Sequence, residues 1–250
     1  MTLSKDDIPR VPLGHYTRPA GYPLAGRRIV VGAYLVPHPD GLLLFDSGFG
    51  EGDPELDRYY RTVRRPLRDG LRGLGVDLGD IRLVVNCHLH RDHCGGNPAL
   101  AGRPVFVQRA ELEAARGHGY TVPALVDFPG AAYELLDGEA EVLPGVRVVP
   151  TPGHTDGHQS LVVDCAEGPV VLLGQAYEFA SDWARAAFAW SLAREGVEAP
   201  LDGDPAWVGR LQALDPCRVL LAHDLASVEA SGDAGQDVWP AARKARRPAR

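Results

Sequence analysis

Asn86-Cys87-His88-Leu89-His90-Arg91-Asp92-His93-Cys94-Gly95-Gly96 is the stretch that decides how this chain is read. Between His88 and His93 it packs three histidines and an aspartate, all able to hold a metal ion. His88 and His90 stand two apart, so in extended backbone their side chains face the same way. That differs from the i, i+4 spacing which places two zinc ligands on one helix face. Asp92 and His93 come next, where a turn sends them to a neighbouring position. The run just before, Arg82 to Asn86 (RLVVN), reads as a short buried strand. The cluster therefore leaves a strand end.

Working outward, other apolar runs finish the same way. Val146 to Pro150 (VRVVP) leads through Thr151-Pro152-Gly153 to His154. Pro169 to Leu173 (PVVLL) leads through Gly174 to Gln175, and Arg218 to Ala222 (RVLLA) leads directly to His223. Side chains that leave the same ends of several strands converge on one rim of a sheet. Five of the nine histidines sit at such positions. A lone histidine is usually a surface or satisfied core residue; this concentration reverses that expectation. Neutral imidazole suits zinc and its neighbours, and aspartate adds a hard, charged oxygen. Two such ions close together can hold a hydroxide, polarise a carbonyl and bring the pKa of bound water to roughly 7, which is chemistry for hydrolysis.

The rest of the chain supplies a frame. The 250 residues fit one large domain, and 45% hydrophobic with 24% charged residues excludes disorder and coiled coil. Ile29 to Val36 and Leu42 to Phe45 flank His38-Pro39-Asp40-Gly41 and predict a hairpin. Pro104 to Gln108 and Ser160 to Asp164 add strands. Asp53-Pro54 and Asp204-Pro205 look like helix starts, the first opening a helix toward Arg65, and Gln108 to Gly117 reads as a third helix. Alternating strands and helices predict an α/β (α+β) layered class. Residues 1–28, rich in Pro, Gly and Arg, are expected to wrap the surface; residues 29–240 form the domain; residues 241–250 are a basic, disordered end.

A net charge of −7 argues against nucleic acid as partner, and no run of about 18 apolar residues predicts a membrane span. The N-terminus lacks the apolar run of a signal peptide, which points to the cytoplasm. Cys87, Cys94, Cys165 and Cys217 form no CxxC pair and are expected as free, buried thiols, with Cys87 and Cys94 packing beside the motif.

His88-x-His90-x-Asp92-His93, His154 within Pro152-Gly153-His154-Thr155, the late His223 and the early Asp46-Ser47-Gly48 turn together resemble the metallo-β-lactamase superfamily. HPDGLLLFDSG, HLHRDHCGGN, LPGVRVVPTPGHTDGHQSL and LDPCRVLLAHD look most like its N-acyl homoserine lactone lactonase group. The resemblance implies a four-layer αββα sandwich with the metal site at the sheet edge. It implies one or two Zn2+ ions, with Mn2+ or Fe2+ as alternatives, and a small-molecule acyl substrate; it also allows a homodimer. By analogy His88, His90 and His154 hold a first ion, and Asp92, His93 and His223 a second. Asp92 orients the attacking water, while Asp46 and His158 support the ligands from behind. Where the family bridges both ions with aspartate, this chain has Gln175, neutral and a poorer bridge. Tyr177 follows Gln175 by two residues, against an expected three, and is a candidate to stabilise the oxyanion. Ala176 to Pro200, with two tryptophans and two phenylalanines, is expected to shape an acyl pocket or to pack on the core. The implied activity is hydrolysis of a lactone or related acyl ester. The alternatives are a thioesterase of the glyoxalase II type, another hydrolase of the superfamily, or a binding module that has lost its second metal through Gln175.

Overall fold

The computed structural model describes residues 2–50, 53–197 and 205–229. The short apolar runs become strands: β1 (Arg10–Thr17), β2 (Arg28–His38), β3 (Gly41–Phe45), β4 (Val63–Arg64), β5 (Ile81–Val85), β6 (Pro104–Gln108) and β7 (Ala132–Leu136). Then follow β8 (Ala140–Leu143), β9 (Val146–Pro150), β10 (Gln159–Cys165), β11 (Gly168–Leu172), β12 (Arg218–Leu220) and β13 (Val228–Glu229). They form a seven-stranded sheet ordered β4-β1-β2-β3-β5-β6-β7 and a six-stranded sheet ordered β13-β12-β11-β10-β9-β8. β2 and β3 make the expected hairpin, with His38 opposite Gly41. β3, β5, β6 and β7 run parallel, as do β11 and β12.

Alternation along the strands builds four layers. Val36, Leu43, Phe45, Leu83 and Val85 of the first sheet meet Val148, Leu161, Val163, Val170 and Leu172 of the second. Their neighbours point outward. Leu35, Leu44, Val84 and Val105 lie under Leu67 and Leu71 of α2 (Leu67–Arg72). Val149, Val162, Val171 and Val219 lie under Trp183 of α5 (Ala180–Arg194) and under Trp207 and Leu211 of α6 (Ala206–Gln212). Both faces of these strands are buried, so they read as unbroken apolar runs rather than as alternating ones. Each fully buried Leu or Val contributes about 1.5–3 kcal/mol. The result is the αββα sandwich that the sequence implies.

The expected helices form with shifted ends. In α1 (Pro54–Tyr60) the Asp53 side chain accepts the Glu55 and Leu56 N–H groups at 2.8 and 3.3 Å, but the helix stops where Arg61 turns left-handed, short of Arg65. α4 (Arg109–Ala115) lies inside its expected span, and α6 follows Pro205; Asp204 lies outside the described residues.

The N-terminal expectation needs correction. Residues 1–28 do not merely wrap the surface: Arg10–Thr17 pair antiparallel with β2 as a strand of the sheet. Val11 and Leu13 are fully buried against α2, and this two-residue alternation was hidden by the surrounding Pro and Gly. The basic segment 241–250 lies outside the described residues.

Candidate metal centre

The loops that follow β3, β5, β9 and β11, with the segment after β12, meet at one edge of the sandwich. The 86–96 stretch is held there by a buried polar network. Asn86 Nδ2 donates to the His93 carbonyl at 3.0 Å, Asn97 Nδ2 donates to Asn86 Oδ1 at 2.8 Å, and Ser47 Oγ donates to Asn97 Oδ1 at 2.7 Å. The backbone N–H of Ser47 also donates to the His93 carbonyl, at 2.7 Å. These bonds fix the one-turn helix α3 (Arg91–Cys94), which brings Asp92 and His93 beside His223.

Two ligand groups result. His88, His90 and His154 bring ring nitrogens together: His88 Nε2 and His154 Nε2 lie 2.9 and 3.1 Å from His90 Nδ1. Asp92, His93 and His223 form the second group, with His93 Nε2 and His223 Nε2 at 3.1 Å and Asp92 Oδ2 at 3.8 and 3.6 Å from them. Gln175 Oε1 lies 3.1 Å from His93 Nε2, so glutamine joins the second group. All seven residues expected as ligands are thus brought to one place.

The donor chemistry fits a cation. His93 Nδ1 donates to Asp46 Oδ2 at 2.9 Å, and His223 Nδ1 donates to the Val30 carbonyl at 2.8 Å. Each neutral ring then carries its lone pair on Nε2. With both rings neutral, two lone pairs, the Gln175 oxygen and the Asp92 carboxylate converge, an arrangement that calls for positive charge among them, from a bound cation or from a proton on His93. The nitrogen spacing is close to the ~3.3 Å of a tetrahedral zinc site with bonds of about 2.0–2.1 Å. The same field acts on His93: burial opposes a charge there, yet Asp46 and Asp92 raise its pKa above the ordinary histidine value. Asp92 is held below the usual carboxylate range, the neighbouring His93, His223 and His90 outweighing its burial. Burial and the other histidines push His88 down, and likewise hold His154 to about 3 and His223 to about 4, so these rings stay neutral and available as ligands.

The supporting residues differ from expectation in part. Asp46, at φ +64°, lies beneath His93 as expected. His158 touches no ligand ring by hydrogen bond; its Nδ1 donates to Thr151 Oγ1 at 2.8 Å and its Nε2 accepts the Gln175 N–H at 3.1 Å, so it steadies the backbone of Gln175. Two charged residues with no place in the sequence reading carry much of the site. Glu111 of α4, fully buried, accepts from the Leu89 N–H and from Thr155 Oγ1, both at 2.7 Å, and from the Tyr120 hydroxyl. Arg10 of β1 donates to the carbonyls of Leu221, Ala222 and Asp224, which bracket His223. Glu111 gave one signal: it shares a helix face with buried Leu112 and Ala115, where a lone acid must be satisfied.

A cavity of about 750 Å³ opens over the ligands and reaches His90, Asp92, His154 and Gln175. Its wall is Tyr16, Tyr22, Phe49, Leu56, Tyr60, Tyr120 and Val122, with Arg18, Arg91 and Glu178 among them. Tyr177 is not on that wall. Its ring packs 5.5 Å from Trp207 and 6.4 Å from Trp183, on the outer side of the second sheet. Standing one residue closer to Gln175 than expected, it turns toward α5, and Glu178, paired with Arg18, faces the cavity instead. Of the two readings of Ala176 to Pro200, packing is the one realised: Trp183 and Ala186 cover the sheet, and only Glu178 of the described residues of that segment lines the cavity.

An αββα sandwich with this two-group histidine centre defines a class of metal-dependent hydrolase folds, and the chain belongs to the metallo-beta-lactamase superfamily, whose profile matches residues 27–234. An N-acyl homoserine lactonase of Bacillus sp is 39% identical over 132 residues, 52% of this chain and 50% of that protein; the chain thus spans about half the length of that relative. An N-acyl homoserine lactonase from Azorhizobium caulinodans is 28% identical over 247 residues, covering 88% of each chain. Among solved structures, an N-acyl homoserine lactone hydrolase with N-hexanoyl-L-homoserine at its catalytic metal centre superposes with a TM-score of 0.69 at 25% identity, over 90% of this chain and 95% of that one.

Proposed function

We propose that this protein is a metal-dependent hydrolase that opens the ring of an N-acyl homoserine lactone or cleaves a related acyl ester. The observation that carries the proposal is the convergence of metal-capable atoms from Asp92, His93, His223 and Gln175, beside the His88-His90-His154 group, at the floor of a cavity large enough for such a substrate. The lactone hydrolase relatives support the choice of substrate. Divalent ions, zinc by preference for three imidazoles, would supply Lewis acidity and an activated water. The chain's own residues do the rest. His88, His90 and His154 hold the first ion, and Asp92, His93, His223 and Gln175 the second. Asp92, lining the cavity as an ionised carboxylate, orients the attacking water and takes its proton. The aromatic wall receives the acyl group and excludes bulk water. The four thiols are unpaired, which supports a cytoplasmic setting, and among the described residues no helix is long and apolar enough to cross a membrane.

The test combines elemental analysis of protein purified without added metal with a panel of lactones of increasing acyl length. One or two ions per chain and ring opening that stops on chelation are expected. A protein that takes up no zinc or manganese, or that is loaded yet leaves every lactone intact, overturns the proposal.

A further inference from the structure

Beneath the two ligand groups lies a fully buried thiol that touches both. Cys87 Sγ is 3.0 Å from Asp46 Oδ2, 3.1 Å from His88 Nδ1 and 3.3 Å from His93 Nδ1. The proton count around it has one solution. The Asp46 carboxylate can only accept: its Oδ1 takes the Cys87 backbone N–H at 2.8 Å, and its Oδ2 takes His93 Nδ1–H at 2.9 Å and is the partner of Cys87 Sγ. The single thiol hydrogen therefore points at Asp46. Sγ then faces His88 Nδ1 with lone pairs alone, and this contact is bonding only if His88 carries its hydrogen on Nδ1. That leaves the His88 lone pair on Nε2, the atom that meets His90 and the first ligand group.

A second feature points the same way. The niche for the thiol exists because residue 174 has no side chain. A Cβ on Gly174 would stand 2.5 Å from Cys87 Cβ, 2.9 Å from Sγ and 3.1 Å from His158 Nε2, and the backbone there is left-handed at φ +63°. The loop that delivers Gln175 to the second group is thus shaped around the sulfur that serves the first.

We infer that Cys87 is a positioning residue: its thiol relays the Asp46 carboxylate to His88, fixing the ring with hydrogen on Nδ1 and its metal-binding lone pair on Nε2, and so tying the two halves of the centre to one buried acid. Side chains that hold a ligand histidine by its second nitrogen are worth about 10–100-fold in metal affinity. The sequence alone gave cysteine at 87 a packing role, and the two roles predict opposite rankings. If the sulfur only fills space, Cys87→Ala is mild and Cys87→Ser, which buries a stronger polar group, is the worse variant. If it relays a hydrogen bond, Cys87→Ser restores what Cys87→Ala loses.

The inference rests on the proposed metal-dependent reading for its affinity measurement, so a metal-independent readout accompanies it. Nitrogen-detected NMR of the histidine rings in the metal-stripped wild type should show His88 protonated on Nδ1. The state should persist in Cys87→Ser and become a mixture of tautomers in Cys87→Ala. Competition with a chelator should show zinc held about 10–100-fold more weakly by Cys87→Ala and within about threefold of wild type by Cys87→Ser. His88 protonated on Nε2 in the wild type, or zinc held equally by Cys87→Ala and wild type, or more weakly by Cys87→Ser than by Cys87→Ala, overturns the inference. A wild type that binds no zinc while His88 shows the Nδ1–H tautomer defeats the hydrolase reading and leaves the relay standing. The tautomer needs no variant, so a Cys87→Ala chain that fails to fold does not remove the test.

Discussion

The two halves of the candidate metal centre are built differently. His88, His90 and His154 are three uncharged imidazoles, of which His90 and His154 reach the cavity. Asp92, His93, His223 and Gln175 bring a carboxylate, and their two imidazoles are buried. Each half also has its own remote clamp of opposite charge. Glu111 grips the first half through the Leu89 N–H, between His88 and His90, and through Thr155, next to His154. Arg10 grips the second through the carbonyls on either side of His223, and Gly32 leaves the room for it, since a Cβ there would stand 2.4 Å from Arg10 Nε. A site assembled from five separate loops keeps its geometry because a charge at each end, Glu111 buried and Arg10 half-buried, fixes backbone rather than side chain.

The largest effect should come from removing a clamp. Arg10→Met leaves the carbonyls of Ala222 and Asp224 without their side-chain donor, and leaves the Leu221 carbonyl only the Tyr34 hydroxyl. Orphaned acceptors of this kind cost about 1–3 kcal/mol each where water cannot reach them, so a loss of about 3 kcal/mol or more is expected. A stepwise zinc titration should lose its second equivalent first. Glu111→Gln should lose about 2 kcal/mol and weaken the first equivalent instead. If both variants weaken both steps alike, the halves are not separately clamped.

Next in size is the response of metal-stripped protein to acid. The folded-state pKa of His223 lies at about 4, burial and then His93 lowering it from 6.5. Between these values the unfolded chain binds the extra proton, so stability is complete above about pH 6.5 and declines as pH falls toward 4. For His223 alone the loss is about 3 kcal/mol. His88 and His158 add in the same direction. His93, with a raised pKa, acts oppositely: what it contributes is present below pH 6.5 and fades as pH rises through its folded value. Thermal melts of stripped protein between pH 7 and 4 should show the fall, and saturating zinc should shrink it, because ligands filled by metal resist protonation. A melting temperature that stays flat across that range contradicts the neutral, buried histidines.

Gln175→Asp tests the asymmetry of charge directly. It adds a carboxylate where Gln175 Oε1 meets His93 Nε2, and should tighten the second ion by about tenfold or more while leaving the first nearly unchanged. Unchanged stoichiometry and affinity would mean that glutamine does not limit the second half.

How much of this was legible beforehand follows from how the parts are encoded. The candidate ligands were visible because His88, His90, Asp92 and His93 crowd one strand end and because His154, Gln175 and His223 repeat that position after other strands. The layered fold was visible because strands buried on both faces carry unbroken apolar runs. β1 was missed because its signal, Val11 and Leu13 alternating, is two residues long and set among prolines and glycines. Edge strands β7 and β8 were missed because exposed positions there carry Glu134 and Glu141. The clamps were invisible for a different reason: Arg10 and Glu111 act on segments remote in sequence, and only the folded chain shows a charge held against carbonyls or N–H groups.

The cavity wall gives the smallest and most selective expectation. The cavity touches both halves, through His90 and His154 and through Asp92 and Gln175, but its wall residues belong to neither ligand group, so a wall substitution should alter which acyl group fits without touching either step of the zinc titration. Leu56, on α1, is an aliphatic member of that wall. Phe188, on α5, is 64% exposed and lines no part of it. Enlarging the space with Leu56→Ala should shift relative kcat/KM between short and long acyl lactones by about fivefold to tenfold, the low end of the ~1–3 kcal/mol by which a methylene in an apolar pocket discriminates. Phe188→Ala should leave the ratio where it is. The opposite pattern, with Phe188 governing chain length and Leu56 inert, would mean that the acyl group lies along α5 rather than against the aromatic wall.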